Sequence, residues 1–211
     1  MQTAAPAPAT ATPAAAPWSA TLTWLDRDVL LIRDALPFAG DLVRAAAQVD
    51  GWHPCTVIGD GVSEYVDGVH RSSQRLTISS EEANRTGPLA AWCPIIGAVE
   101  GVLVAAYRQQ NPHARVVSGT GWDLLRYGVG DRFGEHVDVV RGHPSLSQRL
   151  LSVVAFCNDD FEGGELRFPR QDITIRPETG AVVIFPAGFV HPHEALPVKS
   201  GMKYSLVTWF V

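Results

Sequence analysis

The chain has 211 residues, 46% of them hydrophobic, which is enough for one sizeable core and short of the length that usually splits into two. A formal net charge of −5, with no basic stripe, excludes a partner gripped through its phosphate backbone, so nucleic acid is not expected. Three cysteines, Cys55, Cys93 and Cys157, form no CxxC pair and point to core packing in a reducing, cytoplasmic setting rather than a disulfide framework.

Residues 1–17 contain eight Ala, four Pro and three Thr but no Lys or Arg. Such a stretch lacks the basic start and continuous apolar run of a secretory signal, and is expected to be a disordered extension before a single domain over residues 18–211. No uncharged apolar run approaches the ~20 residues that span a bilayer, so no membrane partner is expected. Residues 29–32 read as a short apolar strand, followed from about Pro37 by a helix carrying Leu42, Val43 and Ala46, with Asp41 near its positive end. A longer helix is predicted over about 88–109, where Leu89, Trp92, Ile95, Ile96, Val99 and Leu103 form an apolar stripe.

From Gly121 the period changes to that of strands. Candidates are residues 150–157, 173–175, 181–185 and 204–211, separated by Asp, Gly and Pro. Glu162-Gly163-Gly164-Glu165 predicts a tight hairpin-like turn, and residues 59–71 and 141–147 are candidate flaps.

The chemistry is concentrated in His136-Val137-Asp138 and a distant His191-Pro192-His193. Residues i and i+2 of a strand point the same way, so His136 and Asp138 can offer a nitrogen and an oxygen to one ion. A histidine folded back from far downstream completes two imidazoles and a carboxylate, a set that takes one face of an octahedral Fe(II) and leaves the other open. By spacing alone either His191 or His193 could be that ligand. His53, His70, His113 and His143 read as loop or surface residues, and Trp209 as packing.

These residues sit in four ordered blocks: residues 124–138, ending in Gly134-Glu135-His136-Val137-Asp138; residues 158–168; Gly180-Ala181-Val182-Val183-Ile184-Phe185-Pro186; and residues 193–209. Together they resemble the catalytic core of the Fe(II)/2-oxoglutarate dioxygenases, in the branch similar to prolyl 4-hydroxylases, over residues 124–211. The resemblance implies a mainly β protein with flanking helices around a double-stranded β-helix, the cupin-like jelly roll. It implies Fe(II) as cofactor, 2-oxoglutarate and O2 as cosubstrates, and ascorbate as an accessory reductant.

It also selects His193, which runs directly into Glu-x-x-Pro-Val, as the third iron ligand beside His136 and Asp138. His191 becomes a neighbour of the site. Lys203, ten positions after His193, falls where the family grips the far carboxylate of 2-oxoglutarate, and Tyr127 where a hydroxyl reaches the same group. The carboxylate of Asp138 favours hydroxylation over the halogenation of relatives with a small residue there. Arg71 and Arg149 occupy positions that suit a substrate carboxylate.

The resulting reading is hydroxylation of an unactivated C–H bond in a free amino acid or similar small carboxylate-bearing metabolite. The alternative is a prolyl 4-hydroxylase-type enzyme acting on a peptide or protein, and a third is a non-catalytic cupin-like metal-binding module. Lys203 argues against the third, since a metal store has no use for a buried cation near its ligands. The oligomeric state is not legible.

Overall fold

The structure is a computed structural model that describes residues 20–58, 63–78 and 89–211. The expected N-terminal extension, the start of the first flap and Pro88 lie outside the described residues. The first half carries β1 (Thr21–Trp24), β2 (Leu30–Arg33), α1 (Ala39–Ala46), β3 (His53–Pro54), β4 (Val57–Ile58), β5 (Glu64–Tyr65), β6 (Gln74–Ile78) and α2 (Cys93–Arg108). Then come β7 (Trp122–Tyr127), β8 (Phe133–His136), β9 (Leu151–Phe156), β10 (Glu162–Gly163), β11 (Leu166–Phe168) and β12 (Ile173–Ile175). The last are β13 (Val182–Pro186), β14 (His193–Ala195), β15 (Val198–Ser200) and β16 (Lys203–Phe210).

An eight-stranded antiparallel sheet, ordered β1-β2-β13-β9-β16-β7-β6-β3, faces a four-stranded sheet ordered β12-β11-β14-β8. Strand alternation builds both cores from one sheet. Leu30, Ile32, Leu124, Val182, Ile184 and Leu206 point outward to Leu42 of α1 and to Ile96, Leu103 and Tyr107 of α2. Their in-between neighbours Leu31, Phe156, Val183 and Phe185 point inward, to Leu166, Phe168 and Ile175 of the small sheet. Full burial of each such aliphatic or aromatic side chain contributes roughly 1.5–3 kcal/mol. The mainly β jelly roll with flanking helices is therefore what forms.

The apolar stripe of α2 behaves as its spacing predicts, except that Ile95 turns outward, 44% exposed, and a 3-10 turn at Ala90–Trp92 precedes the helix. Ala90–Arg108 is by length and composition apolar enough to cross a bilayer, although Glu100 interrupts its apolar run. In this fold Glu100 accepts a hydrogen bond from Trp122 Nε1 at 2.6 Å, and Ile96, Val99, Leu103, Ala106 and Tyr107 are buried.

One local expectation fails. Residues 162–165 are no hairpin turn: β10 pairs with β15 across a register shift, and β11 leaves for β12 and β14. Gly163 and Gly164 have φ of +77° and +65°, and a Cβ on Gly163 would stand 2.3 Å from Pro197 O. The glycines thus serve a close crossing of two chain segments, a need that a turn signature cannot be told from in sequence.

Candidate active site

The register of two strands brings the candidate metal ligands together. In the β8–β14 pair, His193 lies directly opposite His136, which places two imidazoles side by side with ring centroids 4.3 Å apart. The strand ends at His136, and Asp138 follows in a bend held by Asp138 N donating to Ala187 O at 3.2 Å. One ligand atom from each of His136, Asp138 and His193 lies within 4.8 Å of the others. Asp138 Oδ1 is 3.6 Å from His136 Nε2, and Asp138 Oδ2 is 3.6 Å from His193 Nε2.

The hydrogen bonds fix which ring nitrogen is free. His136 Nδ1 donates to Gly134 O at 2.8 Å and His193 Nδ1 donates to His191 O at 3.2 Å, since a carbonyl can only accept. Both Nε2 lone pairs then point at the carboxylate, the tautomer a metal requires. Burial and then repulsion from His193 push the His136 imidazole down to about 3, so it is neutral near pH 7. Burial acts to raise the Asp138 carboxyl, but His193, His136 and the Ser152 hydroxyl outweigh it and hold the group below the ordinary carboxylate range. Two imidazoles with free Nε2 atoms and one carboxylate, gathered in one pocket, fit a divalent iron. His191 contributes its backbone, while its own ring is buried with Nδ1 unpartnered.

Deeper in the same cavity stand Tyr127, Lys203 and Ser205. Lys203 is 2% exposed and donates from Nζ to Gly164 O at 2.7 Å, with the Tyr127 and Phe156 rings 4.9 and 5.8 Å away. No carboxylate among the described residues pairs with it. Burial lowers its pKa to about 7, Glu165 offsetting a little. Burial likewise raises Tyr127 to about 12, which keeps its hydroxyl a donor. Ser205 Oγ is buried without a partner. An ammonium with two spare protons and an orphan hydroxyl are what one end of a dicarboxylate would satisfy.

The outer cavity, about 460 Å³, opens from the triad toward β4 and β5 and is lined by both predicted arginines. Arg71 lies over the Phe133 ring at 4.3 Å and donates from Nη1 to Thr56 O at 2.9 Å. Phe133 in turn stacks on His136 at 3.5 Å, so the mouth and the metal share one column of rings. Arg149 is not simply extended toward substrate: it lies 3.5 Å over the Trp209 ring and donates from Nη1 to Asp138 O at 3.2 Å. Nε of each arginine is buried and unpartnered.

Trp209 packs against the inner core as expected and also lines both cavities. His70, expected in a loop or at the surface, is half-buried in a turn at the mouth, edge-on to Phe133 at 5.7 Å. Ser152, whose Oγ donates to Asp138 Oδ2 at 2.6 Å, was missed. Its signal was a lone hydroxyl in the apolar run of residues 150–157. His143, half-buried in its loop, accepts from Ser145 N and Leu146 N, while His53 and His113 are exposed.

Residues 122–211 match the sequence pattern of the 2OG-Fe(II) oxygenase superfamily. Among its relatives, a probable prolyl 4-hydroxylase 9 of Arabidopsis thaliana is 27% identical over 172 residues, 70% of this chain and 55% of that protein. Prolyl 3-hydroxylase 2 of Rattus norvegicus is 33% identical over 72 residues, 32% of this chain. The chain thus spans about half of the first relative and 10% of the second. In fold it is similar to a Pseudomonas putida prolyl-4-hydroxylase, with TM-score 0.64, 22% identity, and coverage of 87% of this chain and 91% of that one. It also resembles a Trichoplax adhaerens prolyl hydroxylase in complex with a hypoxia inducible factor peptide fragment, with TM-score 0.69, 17% identity, and coverage of 87% and 83%.

Proposed function

We propose, from residues 122–211 belonging to the 2OG-Fe(II) oxygenase superfamily, that this protein is an Fe(II)- and 2-oxoglutarate-dependent hydroxylase acting on a prolyl-type residue within a peptide. The observation that carries the reaction class is the His136–Asp138–His193 triad beside a buried Lys203 that has no acidic partner among the described residues. His136 Nε2, Asp138 and His193 Nε2 would hold the iron; Lys203, with Tyr127 and Ser205, would hold the far carboxylate of 2-oxoglutarate. The iron and its cosubstrates supply the oxidising chemistry once bound. The protein's part is to orient both cosubstrates, to keep water out with Phe133, Leu166 and Val207, and to aim one C–H bond at the open face.

Sequence reasoning placed a free amino acid first. The peptide reading is favoured by prolyl hydroxylases recurring among the relatives and by an outer cavity broad enough for more than one residue. Arg71 and Arg149 both line that cavity, and a guanidinium suits the carbonyls of a bound main chain as well as it suits a carboxylate. The test is succinate release stimulated by candidate substrates. Proline-containing peptides are expected to stimulate it well above free proline and other amino acids; stimulation by a free amino acid alone would return the small-metabolite reading.

A further inference from the structure

The inward face of β9 presents Ser152, Val154 and Phe156, and only Ser152 carries a hydrogen-bonding group. It is 1% exposed, and strand register fixes its backbone between Phe185 of β13 and Trp209 of β16. Asp138 is equally held in its main chain, by Ala187 O on one side and the Arg149 guanidinium on the other. Rotation of the Asp138 side chain is the freedom that remains.

That rotation decides how many oxygens face the metal. Oδ1 and Oδ2 lie at the same 3.6 Å from the two imidazole nitrogens, so the backbone alone does not choose between them. A carboxylate so placed can chelate a divalent ion through both oxygens. The Ser152 hydroxyl breaks the symmetry. Its Oγ donates to Oδ2 across 2.6 Å, whereas Oδ1 accepts no hydrogen bond among the described residues.

We infer that Ser152 is a positioning residue that holds Asp138 to one metal-donor oxygen, Oδ1, and so reserves a coordination position for the chelating cosubstrate. An octahedral ion with two imidazoles and one carboxylate oxygen keeps three sites, two for a keto acid and one for dioxygen; a second oxygen from Asp138 would take one of them. The inference rests on the triad being the iron site.

Co(II), whose visible absorption reports coordination number, serves as the probe. It is titrated into wild type, Ser152→Ala and Ser152→Thr, and each loaded protein is then titrated with 2-oxoglutarate. Ser152→Ala is expected to keep Co(II) affinity within about threefold, to change the Co(II) spectrum before cosubstrate is added, and to bind 2-oxoglutarate about tenfold more weakly. Ser152→Thr, which keeps the hydroxyl, restores both. A purely structural serine would lower the thermal midpoint and leave the spectrum alone. Should Ser152→Ala not fold, Ser152→Cys, nearly isosteric with a weaker donor, takes its place with the same expected direction. An unchanged spectrum and 2-oxoglutarate affinity in the folded variant, or no rescue by threonine, overturns the inference. A wild type that binds no Co(II), or His136→Ala binding it equally well, brings down the iron-site reading and this inference with it.

Discussion

The two ends of the cavity are built by different means. At the inner end every proposed chemical group hangs on a strand or directly beside one: His136 and His193 share a register position, Lys203 opens β16 and Tyr127 closes β7 opposite it. At the mouth, Arg71 lies outside any strand ladder, with only an isolated bridge to Phe133, and Thr56 hydrogen-bonds at 2.8 Å to Glu64 in a pair of two-residue strands. Paired strands hold donor atoms to the tolerance that metal chemistry needs, whereas a loop-borne rim can change its contacts without moving the ligands. One column, Arg71 on Phe133 on His136, ties the two ends.

Substitutions can break this contrast in order of severity. His136→Ala removes an inner-end ligand and should abolish Fe(II) binding and succinate formation together; normal turnover by the variant would reject the ligand assignment. Next, Lys203→Ala gives up two charge-assisted hydrogen bonds at roughly 1.5–3 kcal/mol each, so the apparent KM for 2-oxoglutarate should rise by about a hundredfold or more while Fe(II) affinity stays. An unmoved KM would sever Lys203 from the cosubstrate.

A milder test uses pH alone. Burial lowers the Lys203 pKa to about 7, so the free protein loses the ammonium as pH rises through that value. The cosubstrate dianion binds the charged form, hence the KM for 2-oxoglutarate should climb above pH 7, approaching tenfold per pH unit, and should level off below it. Lys203→Arg, whose cation persists, should flatten the climb. The smallest effect belongs to the mouth: Arg71→Lys keeps the charge but loses the planar stack on Phe133, and should raise the substrate KM a few-fold, about 1 kcal/mol, with little change in the 2-oxoglutarate KM. If both constants moved together, the ring column would couple the ends more tightly than the rim's loose construction suggests.

The strands over residues 150–157, 173–175, 181–185 and 204–211, and both helices, were legible because apolar period and turn residues are local signals. Other features were hidden for a shared reason. Trp209, His70 and Ser152 carry no spacing rule; what they do depends on which distant side chain the fold sets beside them. Gly163 and Gly164 looked like a turn because sequence records the need for positive φ and not the passing Pro197 carbonyl that adds to it.

By itself the sequence offered a candidate donor set of two imidazoles and a carboxylate, since residue type and order are visible there, while its resemblance to a family picked His193 over His191 and pointed to the lysine ten residues downstream. Tertiary structure alone decided that His193 stands against His136, that the Nδ1 hydrogen bonds leave both Nε2 atoms free, that Ser152 favours one carboxylate oxygen, and that Arg149 is half committed to Asp138. Those facts depend on register between strands far apart in the chain, where a shift of one residue would turn every side chain to the opposite face.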